Sequence, residues 1–179
     1  LSIGVVGLGT GTLAAYGEQG DYLRFYEINP DVIHFADKYF TYRQDSAARI
    51  DVVPGDARVS MEREKARRQP GNFDVFAVDA FSSDAVPVHL LTRECYQNYW
   101  YHLKKDGILA LHISSRYFNL GPVIRNLAAL DKERGTQALL IEDPGSALQE
   151  TDSTRWVLIT SNREFLASPD VQNAITPWP

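Results

Sequence analysis

The stretch that most constrains this chain is Ile3-Gly4-Val5-Val6-Gly7-Leu8-Gly9-Thr10-Gly11-Thr12. An apolar run of this length reads as a buried parallel strand. The alternating glycines read as the turn after it, where the backbone must approach a ligand closely. Thr12-Leu13-Ala14-Ala15-Tyr16 is expected to open a helix whose free N–H groups point at the same spot. Strand, glycine turn and helix together predict a nucleotide-binding α/β domain.

The dinucleotide fingerprint asks for glycines at its first, third and sixth positions. Here those positions hold Gly7, Gly9 and Thr12, and the glycines instead alternate as Gly7-x-Gly9-x-Gly11. That alternation resembles motif I of class I S-adenosylmethionine-dependent transferases. A plain tight turn and an NAD site with one substitution are the competing readings.

The acidic balance (net charge −5, pI about 5.3) carries no nucleic-acid footprint. The cluster Arg63, Lys65, Arg67 and Arg68 alternates with Glu62 and Glu64 and reads as a solvated helix face. The single cysteine, Cys95, excludes an internal disulfide and reads as a small buried hydrophobe on a helix. No pair of histidines has metal-ligand spacing, so no metal is expected. No run approaches a membrane span and no signal peptide is visible, which gives a cytoplasmic expectation. The 179 residues make one domain. Leu1 falls at the edge of the first core strand, so the chain is expected to be a piece of a larger polypeptide.

Further strands follow in order. Tyr22–Ile28 is the second and ends on Glu27-Ile28. Glu27 stands 16 residues after Gly11, where an acid can accept hydrogen bonds from both ribose hydroxyls. Asp31 is expected to cap a helix carrying Val32, Phe35, Ala36, Tyr39 and Phe40 at helical spacing. Ile50–Pro54 is the third strand. In the Gly55-Asp56-Ala57 that follows, Asp56 can accept from an adenine amino group or cap the helix Ala57–Gln69. Phe73–Asp79 is the fourth strand. A long loop then brings Asp84 and His89, and Thr92 caps a helix reaching about Leu103. Ile108–Ser114 is the fifth strand. Its His112 reads as a satisfied core histidine, in preference to a base or a substrate contact. Pro122 opens a helix to about Glu133. Gln137–Glu142 and Arg155–Ser161 are the last two strands, Asn162 begins a short terminal helix, and the tail is coil. The expected architecture is a Rossmann-like three-layer α/β/α sandwich. Its seven-stranded, mostly parallel sheet has an antiparallel last strand.

Several segments together resemble the spermidine synthase family of aminopropyltransferases. They are the turn Gly7–Gly11, Tyr26-Glu27-Ile28-Asn29-Pro30-Asp31-Val32-Ile33, Gly55-Asp56-Ala57, Phe73-Asp74-Val75 leading to Asp79, Leu91-Thr92-Arg93-Glu94-Cys95-Tyr96, and Leu103-Lys104-Lys105-Asp106-Gly107. The likeness covers roughly the first 115 residues. It implies that Gly7, Gly9, Gly11, Glu27 and Ile28 hold the nucleoside, and that Asp56 and Ala57 hold adenine. Asp79 is then the catalytic carboxylate, with Asp84 beside the amine. The implied co-substrate is S-adenosylmethionine or its decarboxylated form, and the implied partner is a small-molecule amine. A homodimer and a fusion to further domains or membrane segments are left open. Three departures stand out. Thr10 occupies the position of an acid in the turn, His112 replaces a polyamine-contacting glutamine, and the small N-terminal β-domain is absent. A methyltransferase and an inactive nucleoside-binding domain are the alternatives.

Overall fold

The structure, a computed structural model, describes residues 1–80, 87–115, 117–130, 132–146 and 152–178. Among them, eight strands form one sheet: β1 (Ser2–Val6), β2 (Tyr22–Glu27), β3 (Arg49–Pro54), β4 (Phe73–Val78), β5 (Leu103–His112), β6 (Gln137–Asp143), β7 (Thr154–Thr160) and β8 (Ile175–Thr176). Their order is β3-β2-β1-β4-β5-β7-β6-β8. Strands β1 to β5 pair in parallel; β7 runs antiparallel to β5 and β6, and β8 antiparallel to β6. The two-residue β8 lies in the tail expected to be coil. Pairing with Leu140 and Ile141 draws it onto the sheet.

The helices are α1 (Pro30–Tyr39), α2 (Tyr42–Asp45), α3 (Ala57–Ala66), α4 (Arg93–His102), α5 (Gly121–Ala129), α6 (Arg163–Ala167) and α7 (Pro169–Ala174). Their caps follow local chemistry. Thr92 accepts from the Cys95 N–H, and Asn162 from Phe165. Helix α1 is capped by Asn29, which accepts from the N–H of Asp31, rather than by Asp31 itself. Asp31 falls inside the first turn because Pro30 takes N1. Helix α3 stops short of Gln69, since Arg68 adopts a left-handed conformation at φ 57°. The terminal helix is two helices: Pro169 starts the second and keeps Ser168 extended.

Alternation along the strands divides the apolar side chains between two cores. Val6, Tyr26, Phe76, Val78, Leu109 and Leu111 face α3, α4 and α5 in one large cluster. Val5, Phe25, Ala77 and Ala110 face the opposite side in a smaller cluster, where α1 contributes Ala36 as its one fully buried side chain. The expected apolar face of α1 is therefore mostly outside. Phe35 and Tyr39 are exposed and stack on each other at 5.6 Å, and Phe40 stacks on Tyr42 at 6.0 Å. Cys95 is fully buried in the large core, and burial pushes its thiol up to about 11.

One expected surface residue is inside. Glu64 is buried, accepting from the Tyr26 hydroxyl at 2.9 Å and pairing with Arg24 at 3.1 Å. Its neighbours Arg63, Lys65, Arg67 and Arg68 are exposed. The α3 face that packs on β2 carries Met61 and Glu64 one turn apart, so the acid follows the methionine inward.

Candidate functional site

Strand order reverses between β1 and β4, and a doubly wound sheet opens its crevice at that point. Register then decides which residues meet. Val6 pairs with Tyr26 and with Val78, and Val78 with Leu111. One step beyond those pairs lie Glu27, Gly7, Asp79 and His112, side by side across four neighbouring strands. Trp156, opposite His112 on β7, extends the row.

Gly7 sits at φ 96°, and a Cβ there would stand 2.5 Å from the carbonyl oxygen of Asp79. The turn can pass β4 only as glycine. Gly9, at φ 55°, has open space where its Cβ would be. Gly11 faces Arg43 and Leu8 behind the turn and does not line the cavity. The helix expected after the turn is five residues of 3-10 helix, Thr12–Tyr16. That is too short to present an α-helical N-terminus to an anion.

Glu27 is 7% exposed, and its carboxylate is fixed from both sides. Oε2 accepts from the Leu8 N–H and Oε1 from the Asn29 N–H, each at 2.9 Å. A carboxylate oxygen accepts more than one bond, so both retain capacity for ligand hydroxyls. Asp56 does two things. Oδ1 accepts from the Val59 N–H at 2.9 Å and caps α3, and Oδ2 lies 3.1 Å from His89 Nε2. His89 thus braces the adenine-side candidate as well as its loop, a contact between distant segments that spacing alone does not reveal.

These residues border one cavity of about 690 Å³, lined by Gly7, Gly9, Glu27, Ile28, Asp56, Ala57 and Asp79 together with Val6, Tyr26, Asn29, Val32, Ala80, Pro87, His89 and Leu90. Three carboxylates and no lysine or arginine line it among the described residues. Such a wall repels a pyrophosphate and suits a neutral or cationic nucleoside. Asp84 lies outside the described residues. No group of three histidine, cysteine, aspartate or glutamate side chains among the described residues could hold a metal ion. No helix among them is long and apolar enough to cross a membrane.

His112 departs from the expectation of a core histidine. Its side chain is partly exposed, with Nδ1 2.6 Å from Asp79 Oδ1 and Nε2 2.7 Å from Ser114 Oγ. Its ring stacks on Trp156 at 4.8 Å.

No protein-family model matches the chain. It is 30% identical over 116 residues to a polyamine aminopropyltransferase of Vibrio vulnificus, covering 62% of this chain and 37% of that protein. It is 33% identical over 109 residues to an N-terminal histidine N-methyltransferase of Emericella nidulans, covering 60% and 19%. The chain therefore spans well under half the length of either curated relative. A spermidine synthase crystallised with the transition-state analogue AdoDATO superposes with TM-score 0.64 at 17% identity, covering 98% of this chain and 56% of that one. Human methyltransferase-like protein 13 in complex with SAH superposes with TM-score 0.68 at 18% identity, covering 100% and 85%. The fold is the class I methyltransferase-like Rossmann fold, and the chain is similar to spermidine synthases in sequence and in structure.

Proposed function

We propose that the chain is a transferase domain that binds decarboxylated S-adenosylmethionine and transfers its aminopropyl group to an amine of the polyamine type, within polyamine biosynthesis. The observation that carries this reading is the anionic cavity: Glu27, Asp56 and Asp79 line it, with no lysine or arginine among the described residues that do. A sulfonium nucleoside is the charge such a wall accepts, and a dinucleotide is the charge it rejects. The relatives named above supply the chemical class.

In this reading Glu27 accepts the ribose hydroxyls, already oriented by Leu8 and Asn29. Ile28 and Ala57 flank the base, Asp56 accepts from its amino group, and Gly7, Gly9 and Gly11 shape the turn. The bound sulfonium supplies an activated carbon for an incoming nitrogen. Asp79, with Asp84, holds the amine against that carbon, since carboxylates bind and orient ammonium groups strongly.

A methyltransferase using intact S-adenosylmethionine is the second reading. It is favoured by the turn itself, where Thr10 and Thr12 bond to each other through their hydroxyls at 2.7 Å. Neutral hydroxyls tolerate the amino-acid carboxylate that an acid at Thr10 would repel. Calorimetric titration with the two forms side by side separates the readings. Preference for the decarboxylated form supports aminopropyl transfer; preference for the intact form replaces it with methyl transfer; binding of neither removes both. Glu27→Ala is expected to weaken nucleoside binding by about 1–3 kcal/mol through lost charged hydrogen bonds. Unchanged affinity would remove Glu27 from the ribose.

A further inference from the structure

The side chain of His89 makes a contact that neither segment it joins needs in order to fold. His89 stands in one turn of 3-10 helix, Val88–Leu91, after β4 and before α4. That turn has its own anchors. Leu90 and Leu91 are buried in the large core. The Tyr99 hydroxyl donates to the Leu90 carbonyl at 2.9 Å. Arg58 Nη1 donates to the His89 carbonyl at 3.0 Å and to Thr92 Oγ1 at 3.2 Å. None of these bonds uses the imidazole. On the other side, Asp56 caps α3 through Oδ1 alone. The contact of His89 Nε2 with Asp56 Oδ2, at 3.1 Å, is therefore surplus to the turn and to the cap. What it fixes is the plane of the carboxylate, which the Oδ1 bond by itself leaves free to swing.

Chemistry assigns the hydrogen of that contact. A carboxylate only accepts, so the hydrogen lies on His89 Nε2 whether the ring is neutral or charged. Asp56 then accepts one N–H at each oxygen, and each oxygen keeps a further lone pair. Asp56 and His89 both line the cavity, and the Asp56 side chain is 27% exposed, so a ligand can reach those lone pairs. An acceptor held in one orientation recognises a donor edge. It pairs with an exocyclic amino group, whereas a carbonyl at the same ring position leaves oxygen facing oxygen. A carboxylate free to swing can instead meet the ring N–H beside that carbonyl, and so discriminates less.

Resting on the proposed transferase reading, which sets the nucleobase against Asp56, we infer that His89 is a positioning residue for base specificity. Its Nε2–H locks Asp56 as an acceptor, and the locked acid makes the cavity select adenine over its oxo counterpart, hypoxanthine. His89 acts through Asp56 and need not touch the base. The arrangement is a supporting bond that holds a recognition group in its working geometry.

The test is calorimetric titration of the wild type, His89→Ala and His89→Gln with methylthioadenosine and with methylthioinosine, which differ in the amino or oxo group of the base. In His89→Ala the preference for the amino base is expected to fall by roughly 3–10-fold, the worth of one oriented hydrogen bond. In His89→Gln the amide N–H stands in for Nε2–H, and most of the preference is expected to return. Both variants are expected to keep the wild-type urea midpoint. A purely structural role would weaken both nucleosides alike and would not separate the two substitutions. If His89→Ala loses affinity equally for both nucleosides, fails to fold, or matches His89→Gln, His89 does not position the acid, and the transferase reading stands. The same holds if the wild type binds both nucleosides equally. If the wild type binds neither, the transferase reading falls and this inference with it.

Discussion

Gly7→Ala is expected to destabilise the fold by roughly 2–6 kcal/mol and to abolish nucleoside binding. The lower part of that range is the cost of holding a side chain in a left-handed conformation, and the rest is overpacking. The new Cβ would lie 2.5 Å from the Asp79 carbonyl oxygen. Asp79 cannot retreat cheaply, because its N–H is bonded to Val6 at 2.9 Å and its side chain to His112. Gly9→Ala is the control. It shares the positive φ but meets no atom within 4 Å. It should cost roughly 1–2 kcal/mol while its methyl takes space offered to the ligand. Urea unfolding of the two variants separates the effects, and equal midpoints would show that the Gly7–Asp79 contact is not a constraint.

The second large effect is expected at Glu64. Removing it leaves the buried Tyr26 phenol without its acceptor and the half-buried Arg24 without its partner, a loss of roughly 1–3 kcal/mol. Burial already drives the Tyr26 hydroxyl far above its ordinary pKa, so it stays a donor at every accessible pH. Fully buried His102 stands beside this group. Its Nδ1 accepts the Gly71 N–H at 3.1 Å and its Nε2–H donates to the Met61 carbonyl at 3.1 Å. That pattern fits the neutral ring, so its 3.7 Å approach to Glu64 is not an ion pair in the resting protein. Burial lowers the His102 pKa, against smaller opposing effects of Met61 and Glu64. The unfolded chain therefore binds that proton more readily. The contribution is whole above the unfolded value of about 6.5 and is lost as pH falls through the folded one. The urea midpoint should fall between pH 7.5 and 5.5 in the wild type and fall less in His102→Gln. Parallel slopes would show that His102 does not titrate with unfolding.

Much of this was legible in the residues. The glycine turn, the strand-end acids Glu27 and Asp79 and the parallel sheet follow from apolar runs and punctuation, which are local. What could not be read is lateral. The Asp79–His112 contact depends on register between β4 and β5, and register has no mark in either strand alone. Glu64 looked like one acid among surface charges, because nothing in α3 announces that β2 offers it Arg24 and Tyr26. The aromatic face of α1 departs in the opposite sense: Ala36, with Val32 and Ile33 beside it, meets the sheet, and Phe35, Tyr39 and Phe40 stay exposed.

That unevenness between the two sides of the sheet has a consequence for motion. Segments with few buried apolar contacts open locally at a fraction of the global cost. Helix α1 buries Ala36 and packs the half-buried Val32 and Ile33 beside it, while α4 on the other side buries Cys95, Tyr96, Tyr99 and Trp100. Amide hydrogens of α1 should exchange with solvent through small openings that leave α4 closed. Asn29 and Val32 form one wall of the cavity on that side, whereas Asp79 and His112 stand at the ends of the central strands β4 and β5. The molecule therefore pairs a cavity wall that can breathe with acids and a histidine that stay still.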